Sequence, residues 1–139
     1  MRYLLDTNVV SELAKRPADA KVVAWVNGQS AIDLFASVLT VGEITKGLAS
    51  IAPGRRRDEL LAWATQDLAR LFLGRLLSVD ETTARKWGRL AGEAKAAGRP
   101  LAVVDGLLIA TATVHGLVLV TRNERACADR GVPVVNPWL

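Results

Sequence analysis

The chain has 139 residues, half of them hydrophobic and 23% charged, with a formal net charge of +4 and a pI near 9.7. That length suits one domain with a sizeable core, and no apolar run approaches the roughly 20 residues that a bilayer span requires. A lone cysteine, Cys127, rules out an internal disulfide. With Arg2 and Asp6 placed where a signal peptide needs its apolar centre, it leads us to expect a cytoplasmic protein without membrane attachment. The basic balance favours a polyanionic partner, although an arginine-rich composition alone accounts for it equally well.

In chain order, Tyr3 to Leu5 reads as a short buried strand. Asp6, Thr7 and Asn8 offer capping side chains ahead of a first helix, Val9 to Lys15, stopped before Pro17. Val22, Val23, Trp25 and Val26 predict a second helix ending near Gly28. Ile32 to Val38 reads as a strand with Asp33 its weak point. Thr40-Val41-Gly42-Glu43 matches a capping box with Val41, Ile44 and Leu48 behind it. Pro53 and Gly54 mark a turn. Leu60, Leu61, Ala64, Leu68, Leu71 and Phe72 then recur at helical spacing from Arg55 onward. Another helix follows Asp80, with Ala84, Trp87, Ala91 and Ala94 on one side and Gly98 and Pro100 closing it. Leu101 to Val104 reads as a buried strand ending at Asp105, followed by a helix from Gly106 to His115 that Gly116 terminates. Leu117 to Val120 is a core strand and Val132 to Val135 a short last one. No repeat, low-complexity tract or linker interrupts the pattern, so residues 1–139 are expected to form a single domain.

Strands alternating with helices imply an α/β fold with parallel pairing and right-handed crossovers. In such a sheet the carboxyl ends of the strands line one crevice, where ligands bind. Asp6, Asp105 and the polar group Thr121-Arg122-Asn123 would leave that edge, and Glu43 would reach it from the first turn of its helix. Each acid also has a plainer reading, Asp6 and Asp105 as helix caps and Glu43 as the second half of a capping box. Caps do not explain why three acids should meet. A divalent cation does, because hard ions such as magnesium and manganese prefer carboxylate and water oxygens. They can activate water and neutralise a phosphoryl transition state. Competing chemistry is scarce. His115 is the only histidine and sits at a helix end, Cys127 has no histidine near it in sequence, and no phosphate-cradling glycine pattern is present. A phosphatase using Asp6 as covalent nucleophile would want an acid at position 8, which is Asn8.

Leu4-Leu5-Asp6-Thr7-Asn8-Val9-Val10-Ser11-Glu12-Leu13 resembles the opening of PIN-domain proteins, especially the VapC and FitB-like toxins of type II toxin–antitoxin pairs. Thr40 to Glu43, Asp105 to Ala112, Val120 to Asn123 and Asn136-Pro137-Trp138 resemble their later motifs, in order and over essentially the whole chain. The resemblance implies a three-layer α/β/α fold with a small, mostly parallel sheet. It also implies an endoribonuclease dependent on Mg2+ or Mn2+. Asp6 and Asp105 would be the principal metal ligands, and Glu43 a ligand or the group that orients the attacking water. Thr7, Asn8, Ser11 and Thr121 would support the site, and Asn123 would hold its fourth position. The family often has an acid at that position, and many members follow it with an Asp-Phe pair where this chain has Ala126 and Cys127. Three acids therefore suggest one tightly held metal, with a second bound weakly or only with RNA.

The substrate implied is RNA, for instance tRNA or another structured RNA. Arg55, Arg56, Arg57, Arg85 and Arg122 are the candidate phosphate contacts, and such contacts set affinity and salt dependence without specifying sequence. The four tryptophans, Trp25, Trp63, Trp87 and Trp138, are expected in the core or an interface rather than stacked on bases. Family resemblance further implies a homodimer and a cognate VapB- or FitA-like antitoxin, for whose helix the apolar helices offer a groove. The neutral Asn123 motivates an alternative, a catalytically weak PIN module that acts by binding RNA or its antitoxin.

Overall fold

The computed structural model describes residues 1–139. Five strands form one parallel sheet in the order β3-β2-β1-β4-β5. They are β1 (Tyr3–Leu5), β2 (Leu34–Ser37), β3 (Leu76–Leu77), β4 (Val118–Val120) and β5 (Val134–Val135). Tyr3 pairs with Leu34 on one side and with Val118 on the other, so β1 is central. The chain builds outward from β1 through β2 to β3, then crosses back to lay β4 and β5 on the opposite flank. The junction of β1 and β4 is therefore the topological switch point, and its carboxyl edge is the crevice that this class of sheet offers a ligand.

Eight helices cover the sheet: α1 (Thr7–Leu13), α2 (Ala20–Asn27), α3 (Val38–Ser50), α4 (Arg55–Ala62), α5 (Leu68–Leu71), α6 (Glu81–Ala96), α7 (Val103–His115) and α8 (Glu124–Cys127). A π-helical stretch, Trp63–Asp67, joins α4 to α5. Successive strand residues face opposite sides, which sorts the apolar residues into two cores. Leu5, Leu34, Ala36 and Val120 meet Val9, Val10, Val22, Val26, Leu68 and Phe72 on one face. Leu4 and Leu119 meet Leu90, Leu108, Ile109, Ala112 and Cys127 on the other. The result is three layers, α/β/α, and each fully buried Leu, Ile, Val or Phe contributes about 1.5–3 kcal/mol relative to exposure.

Several boundaries differ from the sequence reading. Leu101 to Val104 is not a strand. Val103 and Val104 already belong to α7, and Val103 is 58% exposed. Leu101, Val104 and Leu108 all pack on the second core, and the helix opens in the middle of the four-residue apolar run, after the N-cap Ala102. The strand expected from Ile32 is shorter at both ends. Ala31–Asp33 forms a 3-10 turn with Ile32 73% exposed, and Val38 opens α3. The expected capping box is also absent. Ser37 is the N-cap of α3, accepting from Leu39 N at 3.0 Å, which puts Thr40 inside the helix and Glu43 in its second turn rather than the first. The two-residue β3 and the four-residue α8 carried no periodicity to read. The helix α7 ends as expected at Gly116, whose φ of 66° is the left-handed conformation that glycine supplies without strain.

Candidate metal centre

Three of the helices that begin at the carboxyl edge of the sheet deliver one acid each. Asp6 follows β1 directly and caps α1, accepting from Thr7 N at 2.6 Å. Glu43 comes from the second turn of α3, which leaves β2. The third acid, Asp105, comes from the first turn of α7. This last helix runs back along the sheet before β4, so its N-terminus lies at that edge without a strand ahead of it.

A network of side chains fixes the acids. The Thr121 hydroxyl, fully buried at the end of β4, donates to Asp6 Oδ2 at 2.7 Å. It accepts in turn from Asn8 Nδ2 at 3.4 Å and from Asn123 N at 3.0 Å. The amide of Asn8 also reaches Asp6 Oδ2 at 3.5 Å, and its oxygen accepts from Arg122 N at 3.4 Å. On the other side, Thr7 Oγ1 donates to Glu43 Oε1 at 2.6 Å and lies 2.9 Å from Thr40 Oγ1. A hydroxyl has one proton, so Thr40 donates to Thr7 and Thr7 to Glu43. Thr40 is fully buried and was read from sequence only as a cap; its position three residues before Glu43, on the same helix face, was the available signal. Ser11, in the next turn of α1, makes no side-chain hydrogen bond to this network. Asn123 uses its side-chain oxygen to cap α8, accepting from Ala126 N at 3.4 Å.

The charge of this cluster is uncompensated. The ion pairs of the protein join Lys15 to Glu12, Arg55 to Glu59 and Arg85 to Glu81, and none involves Asp6, Glu43 or Asp105. Burial pushes the Asp6 carboxyl above the ordinary range, the Thr121 and Thr7 hydrogen bonds oppose that rise, and Asp105 and Glu43 add to it. Asp105 is raised by burial and then by Glu43. Cys127, buried in the second core, has its thiol pushed up to about 11 by burial and by Asp6 and Asp105. It therefore lies beside the acids as an un-ionised apolar group. Neighbouring acids with no basic partner, in an all-oxygen donor set, fit a hard divalent cation. The carboxyl groups are not drawn into a ready three-acid cage. Glu43 accepts from Thr7 and buried Asp6 from Thr7 N and Thr121, whereas half-buried Asp105 makes no side-chain hydrogen bond.

A PIN-domain family model matches residues 3–130. The chain belongs to the PIN-domain family. It is 35% identical over 135 residues to the VapC ribonuclease Y4jK of Sinorhizobium fredii, a match covering 97% of this chain and 96% of that one. To the toxin FitB of Neisseria gonorrhoeae it is 36% identical over 135 residues, covering 97% of each. A solved structure of FitAB bound to an IR36 DNA fragment superposes with a TM-score of 0.91 at 34% identity, covering 99% of this chain and 96% of that one. The parallel five-stranded sheet between helical layers is thus a PIN-like α/β/α fold.

The arginines proposed from this PIN-domain sequence do not gather in one place. Arg55 pairs with Glu59 at 3.0 Å and Arg85 with Glu81 at 3.1 Å, both exposed pairs along single helices. Arg56 lines a cleft of about 870 Å³ with Lys15, Arg16, Glu59, Trp63 and Asp67. Arg57 borders an apolar groove formed by Val41, Ile44, Leu48, Leu61 and Leu68. Neither cleft is lined by Asp6, Glu43 or Asp105. Of the candidates, Arg122 alone is hydrogen-bonded to the network around the acids. No helix is long and apolar enough to cross a membrane.

Proposed function

We propose that this protein, acting as one domain over residues 1–139, is a divalent-metal-dependent endoribonuclease and the toxin of a type II toxin–antitoxin pair. The observation that carries this reading is the uncompensated acid cluster at the switch point of a PIN fold, whose most buried member, Asp6, is locked by the Thr121 hydroxyl. Asp6 and Asp105 would hold Mg2+ or Mn2+, with Glu43 as a third ligand or as the acceptor that orients the attacking water. Bound there, such an ion supplies a more acidic water and charge neutralisation at the reacting phosphate. The chain itself does the positioning. Thr121 and Thr7 N fix the Asp6 carboxylate, Thr40 and Thr7 fix Glu43, and Asn8 ties β4 to α1 across the crevice. Groups that orient ligands in this way tune metal affinity.

The names VapC ribonuclease and toxin FitB on relatives of matched length support the activity, and the FitAB complex supports a cognate VapB- or FitA-like antitoxin. The apolar groove between α3 and α4 is our candidate seat for an antitoxin helix. We expect a cytoplasmic homodimer acting on a structured RNA such as tRNA. One observation favours the second reading, a PIN module that binds RNA or antitoxin and cuts poorly: Asn123 is neutral, and its oxygen is committed to capping α8.

Cleavage of a pool of tRNA and structured RNA by antitoxin-free protein, with Mg2+ or Mn2+ and with EDTA, separates the two. We expect metal-dependent cutting that Asp6→Asn and Asp105→Asn each reduce by roughly a hundredfold or more. Asn at position 6 can still cap α1, so that variant should fold. A folded, metal-binding wild type that cuts nothing would establish the binding-module reading instead.

A further inference from the structure

Arg122 follows Thr121 directly and is exposed beside the acid cluster, yet it pairs with no carboxylate. Its guanidinium lies over the Trp138 indole, 5.0 Å from the ring centroid. Trp138 is itself held on two sides. It is half-buried against the first core, and its backbone N–H donates to Asn136 Oδ1 at 3.0 Å. The amide of Asn136 donates to Glu124 Oε2 at 3.3 Å, engaging the acid nearest Arg122 in sequence. The backbone of Arg122 is anchored as well, through its N–H to Asn8.

We propose that Arg122 is a phosphate-binding arm for the RNA strand entering the acidic crevice, and that Trp138 is the positioning residue that holds it. The inference rests on the RNA-cleaving reading above. A guanidinium stacked on an aromatic ring uses its face and leaves its N–H edge free, and that edge matches the two oxygens of a phosphate. Fixing the side chain before the ligand arrives removes much of the ordering cost of binding. An acid cluster repels RNA, so a cation beside it is needed to bring the backbone close. The other candidate arginines lack such a mount. Arg55 and Arg85 are tied to glutamates of their own helices, and Arg56 and Arg57 border clefts that none of the three acids lines.

The test is a double-mutant cycle read by RNA binding. Fluorescence anisotropy of a labelled, cleavage-resistant 2′-O-methyl oligoribonucleotide would be followed between about 50 and 200 mM KCl. Arg122→Ala is expected to weaken binding about tenfold and to lower the salt slope by about 0.7, the contribution of one single-strand phosphate contact. Arg122→Lys should keep the slope and lose part of the affinity, because it keeps the charge without the fork. Trp138→Ala should weaken binding about threefold with Arg122 present and not at all in the Arg122→Ala background, and Trp138→Phe should restore most of the loss. Unchanged affinity and slope in folded Arg122→Ala overturns the arm. An equal cost of Trp138→Ala in both backgrounds reduces Trp138 to a structural residue and overturns its positioning role. Cleavage of unmodified RNA is assayed in parallel: a wild type that shows the Arg122-dependent slope but cuts nothing sinks the nuclease reading and leaves the arm standing.

Discussion

Thr121 is the buried residue that ties the candidate site to β4. A single buried hydroxyl donates to Asp6 and accepts from Asn8 and from the Asn123 backbone, joining β1, β4 and the turn into α8. Thr121→Val keeps the shape and removes all three bonds. We expect a loss of about tenfold to a hundredfold in Mn2+ affinity and about 1–2 kcal/mol in stability. Titrating Mn2+ by electron paramagnetic resonance and melting the variant beside wild type measure the two effects separately. Asp6 and Asn8 were legible in sequence because they stand next to a strand whose polarity was readable. Thr40 was misread because a hydroxyl three residues before a glutamate has the same signature at a helix cap and inside a helix; only the observed N-cap, Ser37, separates the two.

At the scale of elements, α7 decides where the third acid sits. Gly106, next to Asp105, lies against the Trp87 indole and the Leu101 side chain. A Cβ there would be 2.9 Å from Trp87 Cδ1 and 3.0 Å from Leu101 Cδ2. The small residue lets the first turn of α7 seat on α6, and Asp105 is placed with it. Gly106→Ala should cost about 1–3 kcal/mol through overpacking, despite the higher helix propensity of alanine. It should also weaken metal binding by moving Asp105, whereas a folded variant with unchanged stability and Mn2+ affinity would show that the turn does not depend on this contact. The tryptophan reading holds at this scale: Trp25, Trp63 and Trp138 pack on the first core and Trp87 on the second. What sequence did not disclose is that the outer face of Trp138 carries Arg122.

For the whole molecule, the uncompensated acids predict that folding and metal binding are linked. An ion that binds the folded chain at about one hundred times its dissociation constant adds about 2.7 kcal/mol, a rise of roughly 8 °C for a domain of this size. Calorimetry with Mn2+ and then EDTA should show the rise and its reversal, and Asp105→Asn should abolish it. No rise in the wild type would mean that the cluster does not take the ion. The opposing cost is already present in the metal-free chain: Asp6 is raised by burial and by Asp105 and Glu43, and Asp105 by burial and by Glu43, and a cation would offset both causes.

The alternation of strands and helices, the helix stops at Gly28, Gly98 and Gly116, and Asp6 at a strand–helix junction were legible in the sequence, because period, capping chemistry and glycine conformation are local properties. Resemblance over the ordered motifs added the three-layer PIN fold. The start of α7 was not local. Leu101 to Val104 is apolar in either reading, and α7 opens inside it at Val103 because Val104 and Leu108 find the second core at helical spacing while Val103 is left exposed. The sheet order was not local either, and it decides which strand ends become neighbours. Only tertiary structure brings Thr121 onto Asp6, 115 residues away, and Thr7 onto Glu43, 36 residues away, because those bonds depend on how strands and helices pack and not on any spacing along the chain.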